Sequence, residues 1–227
     1  MKTKHVFFSA LLMLFTTLAQ AQQNDAQLWE NVNIEKNITP KLVARVNQEG
    51  RFTDNIRSFT FNYFDFGLNY KFNKHIHATL AYVWVEKQTK EGFWTTRHQA
   101  YADVTLRQKM GAFLLSDRQM FLWQVKDVRT SATGRYPEFY LRNKATIRWD
   151  KTFRVQPYVA CEIYYHLNRI DANDFVFHYN RVRYFAGVFY HPDKSNEFEA
   201  YYLLEHHFNE SNPTTNWVIG LGYDHSF

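Results

Sequence analysis

Over residues 64–72, large apolar and polar or small side chains alternate without a break. Phe64, Phe66, Leu68, Tyr70 and Phe72 fall on one side, and Asp65, Gly67, Asn69 and Lys71 on the other. A period of two is the mark of a β-strand whose faces meet different surroundings. The division returns over residues 217–227, where Trp217, Ile219, Leu221, Tyr223, His225 and Phe227 oppose Val218, Gly220, Gly222, Asp224 and Ser226. Nine further segments alternate in the same way: 27–36, 41–51, 75–86, 96–109, 120–128, 138–149, 153–166, 176–190 and 196–208. Residues 110–119 fit either a turn or a short helical excursion. Short turns at 37–40, 73–74, 150–151 and 191–195 alternate with longer polar loops, which predicts an up-and-down antiparallel meander with its C-terminus at the short-turn end.

Composition decides which face is outside. Aromatic residues make up 19% of the chain, with 21 Phe and 15 Tyr, yet mean hydropathy is −0.50. Beyond residue 21 no stretch is apolar enough to cross a bilayer as a helix. A transmembrane β-barrel reconciles the two, because its apolar face meets lipid while its polar face lines the lumen. The expected fold is therefore an all-β, antiparallel, up-and-down transmembrane barrel. Eleven segments alternate, but single-chain bacterial barrels use even strand numbers, so ten to twelve strands are expected and twelve is favoured. A soluble β-sandwich is the competing architecture; it would need fewer outward aromatics and shorter strands.

The N-terminus agrees with export. Lys2, Lys4 and His5 precede an apolar run over residues 6–19, and Ala19-Gln20-Ala21 is a small-x-small cleavage signal. Residues 1–21 are read as a secretory signal peptide, and 22–227 as the barrel domain. The run is shorter than the roughly 20 residues of a spanning helix, which disfavours an uncleaved anchor. Cys161 is the sole cysteine, so no intramolecular disulfide forms, and its strand face marks it as a small hydrophobe rather than a catalytic thiol. The net charge of +5 carries no recognition-helix pattern, which argues against a nucleic-acid partner.

Several residues carry a family likeness: Trp29, Glu49-x-Arg51, Arg97-His98, Arg142 with Arg148, Pro157 before Glu162, Asn180-Arg181 with Gly187, and the terminal Phe227. In these the chain resembles the small outer-membrane barrels grouped as domain of unknown function 2490, over nearly its whole length after the leader. The resemblance implies a barrel in the Gram-negative outer membrane and brings no catalytic residues or cofactor. With Phe227 as an assembly signal, it also implies the barrel assembly machinery and outer-membrane lipid as partners.

Candidate chemistry lies on the polar face. Arg45, Arg51, Arg97, Arg107, Arg142, Arg148, Arg181 and Arg183 share it with Glu49, Asp103, Glu138, Glu162, Glu199 and Glu205. Enclosed charges must be paired, so the first expectation is a structural network filling a narrow lumen. An excess of bases over acids makes the second a narrow channel or binding site for anionic solutes. A lipid hydrolase is the third reading, and it needs a hydroxyl activated by histidine. His98, His166, His178, His206 and His207 lie near strand ends and Ser58, Ser131 and Ser211 in loops, without a nucleophile motif, so catalysis ranks last of the three readings and the chain leans away from an enzyme. Neither a metal site nor a cofactor is expected, since His206 and His207 lack companions at ligand spacing.

Overall fold

The computed structural model describes residues 23–89, 91–130, 134–151, 154–171, 174–209 and 213–227. The signal-peptide segment lies outside these residues. Eleven strands form among them: β1 (Gln23–Asn37), β2 (Leu42–Thr53), β3 (Ser58–Lys71), β4 (Ile76–Gln88), β5 (Trp94–Met110), β6 (Phe113–Val125), β7 (Glu138–Trp149), β8 (Val155–Asp171), β9 (Asp174–Tyr190), β10 (Asn196–His207) and β11 (Thr214–Ser226). A 3-10 turn, Val128–Thr130, follows β6. Each strand pairs antiparallel with the next, and β1 closes the barrel against β11.

The expected even number of strands is corrected to eleven. An up-and-down meander with an odd number leaves its first and last strands pointing the same way, so closure requires a parallel pair. That seam runs from Gln23 opposite Thr214 to Glu35 opposite Ser226. The even-number rule holds only for barrels that close antiparallel. One consequence is that β1 begins at the long-loop end while β11 finishes at the short-turn end.

Residues 110–119 are also corrected. They form neither a helix nor a long turn: Gly111, at φ 60°, reverses the chain and β6 starts at Phe113. The alternation is hidden there because each face mixes apolar with polar side chains: Leu114, Ser116 and Arg118 on one, Phe113, Leu115, Asp117 and Gln119 on the other. Asp117 on the outer side accepts hydrogen bonds from Asn143 at 2.6 Å and Gln119 at 3.0 Å, while Arg118 points inward. β8 and β9 run longer than expected toward the loop end, reaching Asp171 and Asp174 across the 167–174 segment read as loop.

The faces divide as the alternation requires. Phe66, Leu68, Leu80, Tyr82, Val159, Ile219 and Leu221 all lie exposed on the outer wall, Leu80 at 65%, and Cys161 joins them. Inside, Ala81, Val83, Val85, Tyr101, Met120 and Leu122 pack as one buried cluster, and Trp29, Leu203 and Val218 as a second. The interior is therefore part apolar, and its ionic groups sit between these two walls.

Candidate functional site

Adjacent strands place charged side chains directly opposite one another. Arg118 on β6 pairs in register with Lys144 on β7, Lys144 with Glu162 on β8, Glu162 with Arg183 on β9, and Arg183 with Glu205 on β10. All five lie on the inner face, and together they make a belt that climbs from near the short-turn end toward the loop end.

At its centre Glu162, 2% exposed, collects three cations. Its Oε1 accepts from Arg118 Nη2 and Arg142 Nη2, each at 2.8 Å, and its Oε2 lies 3.3 Å from Arg183 Nη1. Arg183 continues to Glu205 at 2.7 Å, which also meets Arg181 at 3.5 Å and His207 at 3.2 Å. The guanidinium groups of Arg142, Arg181 and Arg183 gather around the ring of Tyr164, at 4.4, 4.8 and 5.1 Å from its centroid. These contacts set a cation against π density as well as carboxylate.

Smaller pairs surround the belt. Arg51 bonds Glu49 at 2.6 Å and lies between Trp29 and Phe61, 3.7 and 4.2 Å from their ring centroids. Arg45 bonds Asp65 at 3.0 Å, and Tyr101 donates to the same carboxylate at 2.6 Å. At the loop end Lys126 holds Glu138 at 2.7 Å, with Gln124 and Tyr140 donating to its other oxygen. Toward the turn end Tyr158 donates to Glu199, Asn33 donates to Asp224 at 2.5 Å across the seam, and His191 Nε2 meets Glu197 at 2.5 Å. In the exposed 191–195 turn, burial and the Arg148 charge push the His191 imidazole below its ordinary value.

Between these groups lies a cavity of about 440 Å³. Ten basic side chains line it against four acids: Arg45, Arg51, Lys87, Arg97, Arg118, Lys126, Arg142, Lys144, Arg181 and Arg183 face Glu49, Asp65, Glu162 and Glu199. Glu138 and Glu205, bonded to lining cations, raise the acids to six and leave the balance positive.

A family model described as protein of unknown function matches residues 26–217. The chain belongs to that family, DUF2490. No curated protein matches it.

In this DUF2490 barrel the residues singled out from sequence divide into two groups. Arg45, Glu49, Arg51, Glu138, Arg142, Glu162, Arg181, Arg183 and Glu205 join ion pairs, and Glu199 a tyrosine hydroxyl. Arg97, Arg107 and Arg148 make no ion pair among the described residues; Arg148 lies instead over Phe189, 5.4 Å from its ring centroid. Asp103 is buried on the inner face, in register with Thr79 of β4. Arg118, Asp65, Lys87, Lys126 and Lys144 belong to the lumen and were not singled out. Asp65 stood plainly on the alternating polar face; Arg118 lay in the segment without clean periodicity.

The described histidine side chains do not converge. His98 bonds the outward Tyr82 hydroxyl at 2.7 Å, His206 the Thr215 hydroxyl at 2.9 Å, and His166 stacks on Tyr140 inside, 4.2 Å between centroids. Ser58 opens β3, while Ser131, Ser211 and the His178 side chain lie outside the described residues. Phe227 extends the seam: its amide donates to Glu35 O at 3.0 Å and its carbonyl accepts from Asn37 Nδ2 at 2.9 Å.

Proposed function

We propose that this DUF2490 chain is an integral barrel of the Gram-negative outer membrane, exported by a leader over residues 1–21 and inserted by the barrel assembly machinery through its terminal Phe227 strand. The carrying observation is the inversion of polarity between the two faces. Large apolar side chains stand exposed around the outer wall, and buried ions are confined to the inside. In water that outer surface would be an association hazard; in lipid it is the solvated face.

Within the barrel, the Glu162 and Glu205 belt cross-links five consecutive strands, β6 to β10. It acts as a structural brace that narrows the lumen and holds the wall in one register. A second activity is favoured by the surplus of bases around the cavity: the lumen takes small anionic solutes.

Fractionation of cells tests the location. The full chain should stay with outer membranes through an alkaline carbonate wash and should need detergent for extraction; recovery in the soluble periplasmic fraction would overturn the reading. Anion-over-cation selectivity of single-channel currents, or saturable anion binding without current, tests the lumen.

A further inference from the structure

At the loop end of the cavity the cations outrun their counter-charges. Lys87 and Arg97 project inward from β4 and β5, Arg181 from β9, and Lys126 from the end of β6; all four line the same cavity. The charges acting most strongly on Lys87 are Arg97, Arg181, Arg51 and Lys126, every one of them positive. Among the described residues, the nearby acids Glu138 and Glu205 are engaged elsewhere. Glu138 receives Lys126, Gln124 and Tyr140, and Glu205 receives Arg183, His207 and Asn216 at 3.2 Å or less, with Arg181 only at 3.5 Å.

Two further facts point to a missing acceptor. Lys87 and Arg97 make no ion pair among the described residues. The Nε atoms of Arg97 and Arg181 are buried and without a hydrogen-bond partner. Enclosed like charges repel strongly, and a buried unsatisfied donor carries a desolvation cost, so a group that answers both must bring negative charge and several acceptor oxygens. A compact oxyanion does so, and a guanidinium fork matches its geometry. Among the described residues the turn end offers no equivalent. There Glu35, Glu197 and Asp224 accompany Arg107 and Arg148, and the signs are mixed.

We propose that Lys87, Arg97 and Arg181 form a binding site for a phosphate-class dianion at the loop end of the lumen, with Lys126 as a fourth, longer-range cation. The site rests on the anionic-solute reading of the cavity and gives it a position and a chemistry. Free phosphate, a soluble phosphate monoester and the phosphate of a membrane glycolipid share the chemistry that these residues recognise.

Titration of the full chain, folded in detergent micelles, with inorganic phosphate tests it by calorimetry or by phosphorus NMR linewidth. Wild type should bind saturably. Arg97→Gln and Lys87→Met should each weaken binding about tenfold or more, Arg97→Lys should recover part of the loss, and Arg107→Gln at the turn end should leave affinity unchanged. Heat-resistant folded mobility on gels verifies that each variant is assembled, and Arg97→Lys serves if the glutamine variant is not. Native mass spectrometry identifies the other source: a co-purified phosphorylated lipid retained by wild type and lost in Arg97→Gln assigns the same site to a lipid phosphate. Binding equally strong in all variants, or abolished by Arg107→Gln alone, overturns this site while leaving a lumen that takes anions. Absence of any saturable binding, whether of phosphate, chloride or carboxylates, removes the wider reading with it.

Discussion

Arg118 reaches past a whole strand to bond Glu162. The two are separated by β7, whose Lys144 stands opposite both of them, yet Arg118 Nη2 and Glu162 Oε1 lie 2.8 Å apart. The shared oxygen also accepts from Arg142, so one carboxylate neutralises cations from three different strands once Arg183 is included. Removing it leaves a buried group of like charges, whereas removing one of the three arginines leaves the carboxylate with two partners. Glu162→Gln should therefore destabilise the folded barrel by about 3–5 kcal/mol, and Arg118→Gln by clearly less. Urea midpoints in lipid vesicles, followed by tryptophan fluorescence, measure both; equal losses would show that the charges are not organised around Glu162.

Gly220 lies directly under the ring of Tyr201, its register partner on β10, and a Cβ at this position would fall inside that ring. Gly187, on the other neighbour of β10, is covered less tightly, with Tyr158 and the Tyr201 Cβ each 2.7 Å from where its Cβ would be. These two glycines are what let two inward tyrosines lie flat against the wall instead of filling the lumen. Gly220→Ala should cost about 1–3 kcal/mol by overpacking, and Tyr201→Ala combined with it should recover much of that cost. The double-mutant cycle, read from the same urea midpoints, should show a coupling that Gly222→Ala does not share. At Gly222 the nearest heavy atom would be 3.2 Å away.

The faces of β3, β7 and β11 were legible in the sequence because each alternates a large apolar residue with a polar or small one. Along β4 the period of two through Ile76, Leu80 and Tyr82 already sets Trp84 outward, and the structure agrees; what the pattern hides is that the lumen wall there is itself apolar, with Val83 and Val85 packed in a buried cluster. The seam was hidden for a different reason. Strand pairing of first with last depends on chain closure, and no local pattern distinguishes eleven alternating segments that close in parallel from twelve with one missed. The candidate site was legible as a set of residue types on one face. Its pairing was not, since Arg118 and Glu162 are 44 residues apart, and the unpaired state of Lys87 and Arg97 depends on where Glu138 and Glu205 spend their oxygens.

The parallel seam makes a prediction about Phe227 that separates two roles for it. A terminal aromatic serving only as an assembly signal would affect the rate of insertion and nothing afterwards. Here its backbone also bonds Glu35 and Asn37, and the Lys36 ammonium lies 5.5 Å from its ring centroid. Deletion of Phe227 should therefore slow folding into vesicles and also leave the barrel less resistant to urea, by about 1–2 kcal/mol for the lost contacts. Phe227→Ala keeps the backbone bonds and should show the kinetic defect with a smaller stability loss. A deletion that slows insertion but gives the wild-type midpoint would reduce Phe227 to a signal.

The 191–195 turn supplies a pH dependence whose direction follows from its geometry. The exposed Asp193 carboxylate accepts from Asn196 Nδ2 at 2.8 and 2.9 Å and from the amides of Ser195 and Asn196 at 2.8 and 2.9 Å. The Asn196 side chain and then the Ser195 amide hold its carboxyl below the usual range. A carboxyl titrating lower in the folded turn than in the open chain contributes fully above its ordinary value near 3.9, and the contribution disappears as pH falls through the folded value. Asp193→Ala should therefore speed exchange of the Ser195 and Asn196 amides at neutral pH, while the ratio of variant to wild-type exchange shrinks toward one in strong acid. Comparing the two proteins at each pH cancels the intrinsic acid dependence of exchange. A ratio that stays constant from neutral to acid pH would mean that the turn is held by its backbone alone, with no part played by the Asp193 charge.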